Sequence, residues 1–262
     1  MIVENNFFFK KKILVYGLGK TGISSLNYLE KNNQVKYFDD NNKNLKNITF
    51  KKKYFIQRRK IQNFYFDIII ISPGINIKNC KLKNFLKNNQ SKIFTDLDVF
   101  YSLYRNNLII AITGTNGKST TAKLLKDILI KNKNDARLAG NIGNAILSEK
   151  KISSKTVFVI EISSYQIEYS KMFKANYGVL LNISTDHLER HKTMKKYINV
   201  KLKLIRSLFK NDYAFLDKNN LVIKKYLKKK VNAKIYNVKS RLPKNYFKLL
   251  KNNYFKSYNN QQ

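Results

Sequence analysis

Leu108-Ile109-Ile110-Ala111-Ile112-Thr113-Gly114-Thr115-Asn116-Gly117-Lys118-Ser119-Thr120-Thr121 decides how this chain is read. The first five residues are a β-prone apolar run that delivers the backbone into a glycine-bearing turn. Beyond the turn, Leu124, Leu125, Ile128 and Leu129 recur at helical spacing, one apolar face of an amphipathic helix. Strand, tight loop and helix is the arrangement that cradles a polyphosphate. N–H groups of the loop and helix start face the anion, Lys118 reaches the outer phosphates, and a hydroxyl after it can hold Mg²⁺. The general phosphate loop wants a glycine at position 112, where this chain has Ile112, so the loop is the shorter Gly114-x-x-Gly117-Lys118-Ser119 form. A Gly/Asn turn before an ordinary helix is the plainer alternative. The flanking elements favour an ATP site running from Gly114 through Thr115, Asn116, Gly117, Lys118, Ser119 and Thr120 to Thr121.

Upstream, residues 13–16 read as a short buried strand entering Gly17-Leu18-Gly19-Lys20-Thr21-Gly22, followed by a helix through about Leu29. A second strand, residues 34–38, ends at Asp39-Asp40. Glycines for the turn and for close approach, then an acid ~20 residues on for a ribose hydroxyl, form the dinucleotide fingerprint. A third strand, residues 67–71, ends at Ser72-Pro73-Gly74, which a parallel sheet would set beside the glycine turn. A helix around residues 82–86, a strand at 92–94 and a helix at 96–104 complete a first domain, residues 1–105. The polar Arg105-Asn106-Asn107 marks its boundary.

The second domain, residues 106–262, continues as α/β. Runs at 156–160 and 177–181 read as strands ending at Glu161 and near Asn182. Strands alternating with helices imply a parallel sheet whose site lies at the strand C-termini, so Glu161 and Thr185-Asp186-His187 should approach the loop. A helix over residues 195–209 places Ile198, Leu202, Ile205 and Phe209 on one face, with Lys201 turned toward that packed side. Snorkelling of an ordinary lysine is the simplest account of it. A strand at 213–216, a basic helix at 221–227 and a strand at 233–238 follow, and residues 252–262 are polar and aromatic.

Composition narrows the function. The net charge of +36 comes from 52 basic and 16 acidic residues, which first suggests nucleic acid. The lysines are scattered rather than gathered in a stripe, however, and no RNA- or DNA-binding module is present, so no specific nucleic-acid partner is expected. A positive surface still attracts anionic substrates. Cys80 is the single cysteine, which excludes an internal disulfide and suits a reducing compartment. The short Phe run near the start is no signal peptide, and nothing approaches the ~18 apolar residues of a membrane span. The expectation is a soluble, cytoplasmic protein. Both histidines, His187 and His191, fall within five residues, which disfavours a His/Cys zinc site. A phosphate loop with a carboxylate and hydroxyls suits Mg²⁺ instead.

Taken in order, seven pieces resemble the Mur ligase family. They are Gly17-Leu18-Gly19-x-Thr21-Gly22, Ser72-Pro73-Gly74, residues 113–120, Gly140-Asn141-Ile142-Gly143, Glu161-Ile162-Ser163-Ser164-Tyr165-Gln166, Asp186-His187-Leu188-Glu189-Arg190-His191, and Tyr197 with Lys201. The pattern is similar to the D-glutamate-adding branch more than to its sister ligases or to folylpolyglutamate synthase. The resemblance implies a Rossmann-like parallel-sheet domain followed by a P-loop-type α/β central domain. It also implies ATP-dependent amide formation between UDP-N-acetylmuramoyl-L-alanine and D-glutamate through an acyl phosphate, in peptidoglycan synthesis, by a monomer.

The same resemblance revises two readings. The first turn would hold UDP rather than a nicotinamide dinucleotide, through Leu18, Gly19, Lys20, Thr21, Gly22, Asp39, Asp40, Ser72, Pro73 and Gly74. Family members carry a hydroxyl and a base where this chain has Asp40 and Asn41. Lys201 matches a lysine that the family carbamylates with CO₂ to help hold a second Mg²⁺. The implied roles are Lys118 on the outer phosphates, and Ser119, Thr120 and Glu161 on the first Mg²⁺. His187 and carbamylated Lys201 take the second, and Asn141 and Ser163 the muramoyl-alanine end. Family members also continue into a third domain supplying most of the amino-acid site, whereas this sequence stops at Gln262. Asn259-Asn260 is the nearest counterpart of the family's adenine-holding stretch. The expectation is that UDP-substrate binding survives while ligation is weak or absent. An NAD(P) oxidoreductase, a nucleic-acid-binding P-loop protein and a sister ligase are the rivals; the first leaves the phosphate loop unexplained, and the second lacks a charge stripe.

Overall fold

A computed structural model of the chain describes residues 6–41, 44, 49–227 and 231–238. In its first part β1 (Lys12–Tyr16), β2 (Gln34–Phe38), β3 (Ile68–Ile71) and β4 (Ile93–Phe94) pair in parallel in the order β2-β1-β3-β4. The connecting helices are α1 (Lys20–Leu29), α2 (Arg58–Ile61) and α3 (Lys83–Asn88), and α4 (Asp96–Tyr104) follows β4. The β3 run of four isoleucines is buried along its whole length, as expected of a parallel strand covered on both faces.

The second sheet holds β5 (Leu108–Thr113), β6 (Ala136–Gly140), β7 (Val157–Glu161), β8 (Tyr177–Leu180), β9 (Tyr213–Leu216) and β10 (Lys234–Asn237). All pairs are parallel, in the order β10-β9-β8-β5-β7-β6. Its helices are α5 (Lys118–Lys131), α6 (Ser164–Tyr169), α7 (Leu188–His191), α8 (Met194–Arg206) and α9 (Leu221–Tyr226). The α/β class with two parallel sheets is as the sequence predicts. Edge strand β6 and the short helix α6 were not anticipated: Arg137 and Gly140 interrupt the apolar pattern of β6, and six residues are too few for a periodicity to register. Residues 252–262, with Asn259-Asn260, lie outside the described residues.

One apolar core runs through both sheets, with Phe100 of α4 meeting Phe158 of β7 edge to face at 4.8 Å. Asp98 of α4 reinforces that junction. Its Oδ1 accepts the Ser170 hydroxyl at 2.7 Å and the N–H groups of Lys171, Met172 and Phe173 at 2.8, 2.7 and 3.2 Å. Its Oδ2 accepts the Thr95 N–H at 2.9 Å, closing a capping box at the start of α4. A fully buried carboxylate that answers this many donors fixes the segment before β8 against the first sheet.

Candidate functional site

Strand order decides where the functional residues meet. In the second sheet β5 lies between β8 and β7, so the loops leaving all three open at the same edge. Gly117, at φ +79°, forms the N-cap of α5 in a backbone conformation that strains any residue with a Cβ. The loop after β8 clasps the phosphate loop. Asn182 Oδ1 accepts the N–H groups of Thr115 and Asn116 at 3.1 and 2.9 Å, and Asn182 Nδ2 donates to Asn116 O at 3.0 Å. The Tyr197 hydroxyl, on α8, lies 3.1 Å from Thr115 Oγ1.

Three side chains give this loop its chemistry. Lys118 Nζ donates to Thr115 O at 2.7 Å. Ser119 Oγ donates to Glu161 Oε2 at 2.7 Å, and Asn141 Nδ2 donates to Glu161 Oε1 at 2.8 Å, so the buried carboxylate is held from both sides. Lys201 is 1% exposed, and its Nζ donates to Gly114 O at 2.7 Å beneath the loop. Burial, followed by repulsion from Lys118, brings its pKa down from 10.5 to about 7, against a smaller upward pull from Asp186. Lys201 is therefore an amine far less basic than an ordinary lysine, buried to its tip rather than snorkelling to solvent. Thr120 is exposed on the next helical position, and the Thr121 N–H continues the helix to Gly117 O at 3.0 Å.

The second potential metal-ligand segment is strained. His187 takes φ +53° at the start of α7, a left-handed conformation uncommon outside glycine. Its ring packs near Tyr197, at 6.3 Å between centroids, and Lys201 Nζ stands 4.8 Å from the centroid of that same tyrosine. His191, by contrast, is buried, bonded to Ser164 Oγ at 2.9 Å, with a pKa lowered by that burial.

The turn after β1 lies at the switch point of the first sheet, with β2 on one side and β3 on the other. Gly22 allows the start of α1 to press on the turn, for a Cβ there would meet Gly17 O at 1.8 Å. Ser72 Oγ donates to Gly17 O at 2.7 Å and ties the two strand ends together. A cavity of about 560 Å³ opens over them, lined among others by Leu18, Gly19, Lys20, Thr21, Asp39 and Asp40. The end of β3 contributes Ser72, Pro73 and Gly74, and the second sheet contributes Asn141 and Gln166. Asp39 answers the turn directly: its Oδ2 accepts the Leu18 N–H at 2.5 Å, and its Oδ1 the Asn41 N–H at 2.6 Å. Asp40 is held by the Tyr16 hydroxyl at 2.7 Å and the Lys81 N–H at 3.0 Å.

The expected residues thus fall into two groups that share Asn141. Ser163 stands aside: its hydroxyl donates to Gln166 Oε1 at 3.1 Å in the capping box of α6, and Gln166 takes the place at the cavity wall. Lys20 Nζ is drawn across to Gly143 O at 2.5 Å, bridging the two sheets. Arg190 belongs to the Asp186–His191 piece that carries the family resemblance, but the sequence assigns no role to it. It donates to Ile75 O at 2.9 Å and pairs with Glu168 at 3.0 Å, linking α7 to the loop after β3. Its partners could not be read from the motif, because Ile75 and Glu168 are remote from it in the chain.

A Rossmann-like unit packed against a phosphate-loop α/β unit is the class of protein that fold and site define. Residues 112–260 match the Mur ligase middle domain, and residues 11–93 match the N-terminal domain of MurD-like Mur ligases. The chain belongs to the Mur ligase family. It is 38% identical over 213 residues to the UDP-N-acetylmuramoylalanine--D-glutamate ligase of Rickettsia bellii, covering 80% of this chain and 47% of that protein. It is 34% identical over 224 residues to the protein of the same name from Clostridioides difficile, covering 82% of this chain and 49% of that one. The chain therefore spans about half the length of the curated relatives it matches. Among solved structures, the UDP-N-acetylmuramate:L-alanyl-gamma-D-glutamyl-meso-diaminopimelate ligase from Neisseria meningitides shares the fold. Its TM-score is 0.56 at 16% identity, covering 87% of this chain and 78% of that one.

Proposed function

We propose that this chain carries the ATP site and the UDP-substrate site of a ligase that joins D-glutamate to UDP-N-acetylmuramoyl-L-alanine. The observation that carries the reading is a short relay. Asn141 lines the cavity of the first sheet, donates to Glu161, and Glu161 accepts from Ser119 at the start of the phosphate-loop helix. A substrate whose nucleotide end sits over residues 17–22 would thereby extend its other end toward the phosphates of ATP. Leu18 to Gly22, Asp39, Asp40 and Ser72 to Gly74 would hold the UDP part, and Asn141, with Gln166 and Ser163 behind it, the muramoyl-alanine end.

At the second turn, residues 114–121 and the start of α5 would wrap the triphosphate, with Lys118 released from Thr115 O to the outer phosphates. The Ser119 hydroxyl and Glu161 carboxylate are hard oxygen donors 2.7 Å apart, and they fit a first Mg²⁺, with Thr120 beside them. His187 and Lys201, grouped about Tyr197, would hold a second; the near-neutral Lys201 amine has the lone pair that capture of CO₂ as a carbamate requires. Bound Mg²⁺ supplies the positive charge that lets a carboxylate approach a triphosphate. The chain's own contribution is positioning and fixed charge, which is most of what phosphoryl transfer to a carboxylate needs before the amine of D-glutamate displaces phosphate.

The test is phosphate release by the purified chain with ATP, Mg²⁺, bicarbonate and UDP-N-acetylmuramoyl-L-alanine, with and without D-glutamate. Binding of each nucleotide ligand is measured beside it by calorimetry. Release dependent on D-glutamate establishes the full reaction for these residues. Binding of both nucleotides without release limits them to the two sites. Failure to bind the UDP substrate overturns the reading.

A further inference from the structure

We propose that Tyr165 and Glu189 are positioning residues that fix the tautomer of His187, placing its proton on Nδ1 and leaving the Nε2 lone pair free. This rests on the reading of His187 as a cation ligand and names what prepares it.

The argument is a proton count. The Tyr165 hydroxyl lies 2.7 Å from Glu189 Oε1 and 3.3 Å from His187 Nδ1. A phenol has one proton, and a carboxylate without a proton accepts only, so the shorter contact takes the tyrosine proton. The longer contact then requires Nδ1–H as donor to the phenol oxygen. Nδ1 also stands 3.5 Å from Glu189 Oε1, a second acceptor on the same side of the ring. The tyrosine has little freedom to leave: its ring lies 4.9 Å from that of His187, and the Arg190 guanidinium covers it at 4.9 Å.

With Nδ1 protonated, the Nε2 lone pair faces Asp186 Oδ2 at 3.3 Å. A cation bound between or beside them would meet a nitrogen and an oxygen donor together. A ring nitrogen that ligates a metal is normally set by the bond its other nitrogen makes. His187 holds a left-handed backbone, φ +53°, and its ring lies 4.9 Å from that of Tyr165.

The chain has two histidines, so a long-range proton–nitrogen correlation spectrum of the whole protein shows two imidazoles. It is recorded near pH ~8.5, where ordinary imidazoles are neutral, with no nucleotide, metal or substrate. His187 is expected as the Nδ1–H form. Tyr165→Phe should shift it toward the Nε2–H form that free imidazole prefers. Glu189→Ala should do the same, by freeing the tyrosine proton for Nδ1. Glu189 has 71% of its side chain exposed, so this second variant decides the matter if Tyr165→Phe fails to fold. His187 found as Nε2–H in the unmodified protein, bonded to Asp186, overturns the proposal. An unchanged tautomer in a folded variant overturns it too. Neither result depends on ligation, so the two readings fail separately.

Discussion

Two glycine turns, residues 17–22 after β1 and 114–119 after β5, each hand a parallel strand to a helix, yet different chemistry answers their backbone. At the first, the protein supplies its own anion: Asp39 Oδ2 accepts the Leu18 N–H at 2.5 Å. At the second it supplies amine donors, with Lys118 and the weakly basic Lys201 both donating to loop carbonyls at 2.7 Å. In the proposed reading the first turn would take the neutral hydroxyl- and base-bearing parts of the UDP ligand, with its diphosphate at the rim. The second is poised to exchange internal carbonyl partners for a polyphosphate. On the proposed reading one turn motif would serve two ligand ends, because the side chains behind it differ.

The largest effect expected from breaking this comparison is at Gly22. A methyl group there collides with the Gly17 carbonyl, so Gly22→Ala should cost on the order of 3 kcal/mol or more in chemical denaturation and abolish UDP-substrate binding. Lys201→Met should act in the opposite direction on stability. The folded pKa of about 7 lies below the unfolded 10.5, so below about pH 7 the wild type carries the whole cost of a buried charge. As pH rises from 7 to 10.5 that cost is progressively relieved. In bicarbonate-free buffer the variant should be more stable by ~1–4 kcal/mol below pH 7, with the advantage shrinking to little above pH 10.5. Thermal melts across that range check the sign. An advantage that grows with pH would contradict the burial described for Lys201.

Lys118→Ala should separate the two turns most cleanly. ATP binding should weaken ~10–100-fold, the worth of charge-assisted hydrogen bonds, with UDP-substrate affinity unchanged in the same calorimeter. The smallest effect is Gly117→Ala. Its Cβ would meet only Leu181 Cδ1 at 3.7 Å, so the penalty is the left-handed backbone alone, ~1–2 kcal/mol. A cost equal to that of Gly22→Ala would mean that close approach at the first turn matters less than the geometry implies.

The sequence by itself determined the class, the two glycine turns, the strands that feed them and the face of α8 that buries Lys201. Those features are local: apolar runs, helical spacing and glycine positions are written within ten or so residues, and tertiary packing here agreed with them. The order β10-β9-β8-β5-β7-β6 was beyond its reach, and so were the contacts that depend on it. Asn141 reaches Glu161 from 20 residues away, Lys201 reaches Gly114 from 87, and Asp98 gathers Ser170 to Phe173 from more than 70. A lysine on a packed face reads as snorkelling until the carbonyl above it is known. The resemblance gives Ser163 a ligand contact, but its capping box with Gln166 is visible only in the fold. Only the tertiary structure decided these, because a side chain's partner and its access to water are set by whatever the rest of the chain brings beside it.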